Sequence, residues 1–148
     1  MFKKYSLQIL LFLAIVFGAH TLSFAQADQV ERLWYNVEKT AKIQIYKAVD
    51  GMFYGKIVWL KEPNRDGKPK TDIYNPDEAR HNDPEMGMLV LRKFKKDGEK
   101  GYEGGTVYDP KNGKTYKCKM TYDGDKLDVH GYVGFSLIGR TAVWTKAD

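Results

Sequence analysis

From Gln26 onward, apolar and polar positions alternate in twos, and no 3.6-residue period is sustained. Period two marks strands that bury one face. Ala41 to Lys47 places Ala41, Ile43 and Ile45 on one side. Asp50-Gly51 follows, a hairpin dipeptide whose Gly accepts a positive φ. Met52 to Leu60 then sets Phe53, Ile57 and Trp59 on one face, with Gly55 among them. Thr115 to Tyr122 alternates strictly, Tyr116, Cys118, Met120 and Tyr122 against Thr115, Lys117, Lys119 and Thr121. Asn112-Gly113 and Asp123-Gly124 bracket it as turns. Lys126 to Val133 sets Leu127, Val129 and Val133 against Asp128, His130 and Tyr132. Leu33 to Val37, Met88 to Lys95, Gly104 to Tyr108 and Leu137 to Thr145 complete a set of eight strands.

Strands joined by short turns form an antiparallel meander. Eight of them leave two bare edges unless the sheet closes. The pattern therefore predicts an all-β fold, an eight-stranded antiparallel up-and-down barrel. At this size its interior holds side chains or one small ligand. A two-sheet sandwich is the rival. Gly55, Gly105, Gly131 and Gly139 fall inside strands, where they relieve the crowding of a tightly bent sheet.

Lys61 to Gly87 breaks the pattern. Its 27 residues hold four of the five prolines and twelve charged residues. A loop of this length is a lid, a binding loop or disordered. Asn75 is placed as an N-cap, Pro76 as the first helical residue and Glu78 as the closing residue of a capping box, with Pro84 as the stop. The expectation is an ordered loop with a short helix over one barrel mouth. Asp72, Asn75 and Arg80 are its candidate lid residues.

The N-terminus reads as an address. Lys3 and Lys4 precede an apolar run from Leu7 to Phe17, broken only by Gln8, and Ser23-Phe24-Ala25 supplies a small-residue cleavage site. The run is shorter than the roughly 20 residues needed to span a bilayer. The expected organisation is a signal peptide at 1–25 and a single β-barrel domain at 26–148, exported to the periplasm or secreted. A lipoprotein leader would end in Cys, and the lone Cys is Cys118. Of the net charge of +5, two units sit in Lys3 and Lys4. The remainder is scattered among acids and does not point to nucleic acid. Oligomeric state is not written in the chain.

Catalytic and metal motifs are sparse. His81 and His130 are the histidines beyond the leader, and with Cys118 they form no metal spacing. Ser136 is the one serine there, which leaves little room for a hydrolase triad. Asn64-Arg65-Asp66-Gly67 lacks the acids of a calcium loop and reads as a turn. No cofactor is implied. Asp72, Asp109 and His130 are the residues an enzyme would draw on, although Asp109-Pro110 reads more simply as a turn opening. Aromatics with a polar tip suit a small pocket. Tyr54, Trp59, Tyr108, Tyr116, Met120 and Tyr132 are the candidate lining; plain core and surface tyrosines are the competing reading. Cys118 is read as buried and inert.

Four blocks carry a resemblance: MFYGKIVWL from Met52, TDIYNPDEAR from Thr71, TVYDPKNGKTY from Thr106 and GYVGFSLIGRTAVWT from Gly131. Together they resemble the domain of unknown function 2147 family of exported bacterial proteins, across roughly Trp34 to Lys146. That family is similar in fold to lipocalins and fatty-acid-binding proteins, the calycin barrels. It opens with Gly-x-Trp; here Arg32-Leu33-Trp34 keeps the Trp and lacks the Gly. In calycins an Arg of the last strand packs across that Trp and shuts one end, which by position implies Arg140. Fatty-acid-binding relatives use a late Arg-x-Tyr pair, and Arg140-Thr141-Ala142 lacks the Tyr. The expected function is therefore a non-enzymatic exported barrel that binds a small apolar or amphipathic molecule. A filled barrel acting as a structural or interaction protein is the alternative, and an enzyme is third.

Overall fold

The computed structural model describes residues 26–147, so the expected leader at 1–25 lies outside the described residues. The strands are β1 (Leu33–Tyr35), β2 (Ala41–Lys47), β3 (Phe53–Leu60), β4 (Asn64–Arg65), β5 (Lys68–Pro69), β6 (Leu89–Asp97), β7 (Gly101–Asp109), β8 (Lys114–Asp123), β9 (Lys126–Tyr132) and β10 (Gly139–Lys146). Eight of them close in the order β1-β10-β9-β8-β7-β6-β3-β2, and β4 and β5 form a separate two-stranded hairpin. Every barrel pair is antiparallel. The seam is short: Trp34 faces Lys146 and Tyr35 faces Thr145.

The turns follow their sequences. Gly51 adopts φ 79° and its N–H reaches Ala48 O at 2.9 Å. β1 stops at Tyr35, before the predicted Val37, because Asn36 Oδ1 accepts from the N–H groups of Thr40 and Ala41 and turns the chain there. β7 starts at Gly101, earlier than predicted, because a bulge at Gly104 (φ 73°) lets pairing resume on its far side.

The meander gives the barrel two ends. One carries residues 26–32 and the β2–β3, β6–β7 and β8–β9 turns; it is here called the plugged end. The other carries the β1–β2 and β7–β8 turns, the β9–β10 loop and the long connection from β3 to β6; it is here called the rim.

Aromatic side chains fill the plugged end. Val30, Trp34, Phe94 and Tyr102 are 0% exposed. Trp34 Nε1–H donates to Val30 O at 3.0 Å, and its ring meets the edge of Tyr122 at 6.1 Å. Phe53 meets Tyr102 edge-on at 5.1 Å. Glycines make the space for this packing: a Cβ on Gly105 would lie 2.5 Å from the Phe94 ring, and one on Gly55 would lie 2.8 Å from Leu91. Asp28 then straps the N-terminal segment down, accepting from Lys96 Nζ at 2.6 Å and from the Tyr102 hydroxyl.

The long connection is ordered, as expected, but its helix differs from the prediction. It is a single 3-10 turn, Glu78–Arg80, and its N-cap is Asp77, whose side chain accepts from Ala79 N–H. Asn75 sits one step back: its Oδ1 takes the Asp77 N–H at 2.9 Å, an Asx turn that delivers the cap. With the N-cap moved two residues on, Pro76 lies ahead of the helix rather than in it. Pro84 is not the stop; it bridges Thr71 across the base of the loop.

Candidate functional site

Alternation along each strand decides which residues see the interior. On β8, Tyr116 follows the parity of buried Cys118 and Met120. Tyr116 pairs with Val107 of β7. On β10, Ala142 and Arg140 share the parity of buried Trp144, and Arg140 pairs with Gly131 of β9. These residues lie toward the rim. Val107, Tyr116 and Ala142 are only half-buried, as are Leu60 and Met88 nearby. A Cβ on Gly131 would meet Tyr116 and Val107 no closer than 3.5 Å, an ordinary contact. The rim half of the interior is thus looser than the plugged half.

Polar groups stand at its edge. Asn112 Nδ2 lies 3.5 Å from the Tyr116 hydroxyl. Arg140 is exposed. Glu38 is held below the usual carboxylate range by its own backbone N–H and by Lys111 Nζ at 3.2 Å, with a further contribution from the Arg140 charge. Arg140 therefore belongs to the rim.

That location corrects the predicted closure by Trp34 and Arg140. Trp34 is opposite Lys146, six residues further along β10, which at about 3.3 Å per residue puts Arg140 about 20 Å away. The cation near Trp34 is Arg32, whose guanidinium sits 5.7 Å over the Tyr122 ring that abuts the indole.

Four predicted lining residues face away from the interior, three of them, Trp59, Tyr54 and Tyr132, onto the outer surface and Tyr108 into the long loop. Trp59 shares the sequence parity of Phe53 and Ile57, but a bulge beside Lys42/Ile43 shifts the register and turns it out. It is 38% exposed and packs edge-on against Tyr35, with Lys42 Nζ over both rings. Tyr54 stacks on Tyr46 and donates to Asp50 Oδ2 at 2.6 Å, outside the barrel. Tyr132 stacks on His130, opposite in parity to Val129. Met120 faces inward within the packed core.

Tyr108 is corrected differently. It points away from the interior, and its hydroxyl reaches Asp72 Oδ1 at 2.7 Å and Oδ2 at 2.8 Å. Asp72 is 1% exposed and also accepts from Asn75 Nδ2 at 2.7 Å. Burial, then the Asp72 carboxylate, pushes the Tyr108 hydroxyl up to about 12. This cluster latches the long loop to β7. Gly113 adds a second tie: its φ of 71° and the close passage of Tyr74 O leave no room for a Cβ. Arg80 is exposed and pairs with Asp83 at 2.9 Å.

No hydrogen bond links Asp72, Asp109 and His130 among the described residues. Asp109 Oδ1 accepts from Lys111 N–H in its turn, and His130 bonds Thr141 and Ser136. Burial raises the Cys118 thiol to about 12, which keeps it a protonated packing residue. Among the described residues, no group of three or more His, Cys, Asp or Glu is placed to hold a metal, and no helix is long and apolar enough to cross a membrane.

The sequence reading missed Val107, Leu60, Met88 and Ala142 at the rim. The register of Val107 with Tyr116 was the available signal, hidden by the bulge at Gly104.

Comparison with known proteins agrees with this architecture. A family model described as an uncharacterized protein conserved in bacteria, DUF2147, matches residues 33–146. Among solved structures, protein HP1028 of Helicobacter pylori, described as belonging to the lipocalin family, is similar with a TM-score of 0.70. The two are 22% identical, over 82% of this chain and 84% of that one. No curated protein matches the chain.

Proposed function

This chain belongs to the DUF2147 family, and from that premise we propose that it is a non-enzymatic barrel that binds a small amphipathic molecule through its rim. One observation carries the reading: inward-facing Val107, Tyr116 and Ala142 are half-buried although the far end of the same interior is sealed by Trp34 and its neighbours. An apolar chain would lie against Val107, Ala142 and Leu60. Its polar head would meet the Tyr116 hydroxyl and the Arg140 guanidinium, a donor pair that fits a carboxylate or phosphate. Each Å² of apolar ligand surface buried would contribute about 25 cal/mol, before the cost of ordering. The lipocalin-like fold supports such a role. The leader-like first 25 residues support export, so the periplasm or the cell exterior is the proposed compartment.

Native mass spectrometry of gently purified protein tests the reading. The expected result is a bound mass released on denaturation, lost in Val107→Trp or Gly131→Leu variants that still melt cooperatively. A bare protein mass, with no binding across a panel of fatty acids and lysophospholipids, would contradict it. That outcome would instead favour a barrel acting through its outer surface.

A further inference from the structure

The loop between β9 and β10 exposes its apolar side chains almost completely. Val133 is 74% exposed, Phe135 79%, Leu137 96% and Ile138 70%. No charged residue occurs from Gly131 to Gly139. Surface of this kind on one short loop marks a contact rather than packing noise.

The loop is held in shape. Gly134 reverses the chain at φ 75°, and Ile138 N–H closes a turn on Phe135 O at 3.0 Å. His130 Nε2 lies 2.8 Å from Ser136 O; a carbonyl only accepts, so this nitrogen carries the proton. His130 Nδ1 pairs with Thr141 Oγ1 at 2.8 Å. Ile138 N–H, Phe135 O and Ser136 O are thus paired within the protein, which suits a tip seated at the hydrated headgroup boundary rather than in the hydrocarbon.

Its surroundings are cationic. Arg140 follows the loop, Lys117 pairs with Tyr132 at its base, and Lys39, Lys111 and Lys114 stand on the two flanking turns, all exposed. Glu38 and Asp109 are the acids of those two turns, and Glu38 is already paired with Lys111; the acids of the long connection lie on the β3–β6 side of the rim. An uncharged apolar tip within a basic collar matches the interface of an anionic bilayer, where apolar insertion and headgroup attraction add. A second copy fits less well, because a symmetric contact through this loop would bring the same cations together.

We infer that the β9–β10 loop is a membrane-docking tip: Val133, Phe135, Leu137 and Ile138 enter the headgroup–acyl boundary of a phospholipid bilayer, and the basic collar meets its anionic headgroups. The docking stands whether or not the interior binds a ligand. If both hold, the rim opens toward the bilayer.

The test uses the chain from Gln26, which contains the whole closed sheet and its plug. It is pelleted with vesicles of phosphatidylglycerol and phosphatidylethanolamine, and with vesicles of phosphatidylcholine alone. Binding to the anionic vesicles is expected, weaker binding to the neutral ones, and loss of the difference as salt rises. The double variant Phe135→Asp/Leu137→Asp is expected to lower partitioning about a hundredfold, with melting unchanged because neither side chain packs on the core. Phe135→Trp should show a blue-shifted emission with anionic vesicles. Three outcomes would overturn the inference: protein left in the supernatant, a double variant that partitions like the wild type, or a dimer that the double variant dissociates in the absence of any vesicle binding.

Discussion

The two ends of the barrel are built from the same eight strands and solve different problems. At the plugged end, Trp34, Phe53, Phe94 and Tyr102 occupy the bore; Gly105 makes room for Phe94, and Gly55 for Leu91 beside them. At the rim, Gly131 adjoins ordinary contacts, Tyr116 and Val107 remain half-buried, and loops supply the polar groups. A small barrel can thus be tightly packed in one half and slack in the other. Tight and slack packing are separated along the barrel axis, so substitutions at the two ends should report on different properties.

The largest effect is expected at the plug. Trp34→Ala should cost about 3–5 kcal/mol in urea unfolding, whereas Val107→Ala should cost about 1 kcal/mol. Equal losses would erase the distinction. Next is the latch: Tyr108→Phe removes the hydrogen bonds to the buried Asp72 carboxylate and should cost about 1.5–3 kcal/mol. Limited proteolysis between Lys61 and Gly87 should accelerate with it. The glycines give a sharper contrast. Gly105→Ala forces a methyl into the Phe94 ring and should cost about 1–3 kcal/mol, while Gly131→Ala should stay within about 0.5 kcal/mol.

Acid separates two carboxyl groups whose shifts run in opposite directions. Burial would raise Asp28, but hydrogen bonds from Lys96 and Tyr102 outweigh it and hold the carboxyl below its ordinary value of 3.8. Its contribution is present above that pH and lost as pH falls below it. Burial raises Glu85 above its ordinary 4.5, against the pull of Arg65 and Lys70. Its cost is present at neutral pH and relieved as pH falls through the raised value. Urea midpoints measured from neutral to acid pH should show the low-pH loss diminished in Asp28→Asn and the earlier gain diminished in Glu85→Gln. The smallest stability change belongs to Arg140→Ala, within about 0.5 kcal/mol, because the side chain is exposed. Its effect should appear in the affinity for an acidic amphipath.

All eight barrel strands were legible in the sequence, since alternation and the Asp-Gly and Asn-Gly turns act locally. The faces of Tyr116, Cys118, Met120, Leu127 and Val129 were legible for the same reason. Failures came wherever a bulge or a distant register intervened. One extra residue beside Lys42/Ile43 turned Trp59 outward, and nothing within Met52 to Leu60 announces it. The positions of Arg140 and Trp34 depended on the β1–β10 seam, which joins residues more than a hundred positions apart. The Asp72–Tyr108 latch spans 36 positions and unites a loop residue with a strand residue that had been read as separate features.

The central claim is that the interior is reachable from the rim and not from the plug. Two-dimensional NMR of the isotopically labelled protein, titrated with a medium-chain fatty acid or a lysophospholipid, tests it most directly. Amide shifts should concentrate at Val107, Tyr116, Gly131 and Ala142 and leave Val30, Trp34 and Tyr102 unmoved. Shifts centred on Trp34 and Tyr102, or none at any ligand tried, would contradict the account.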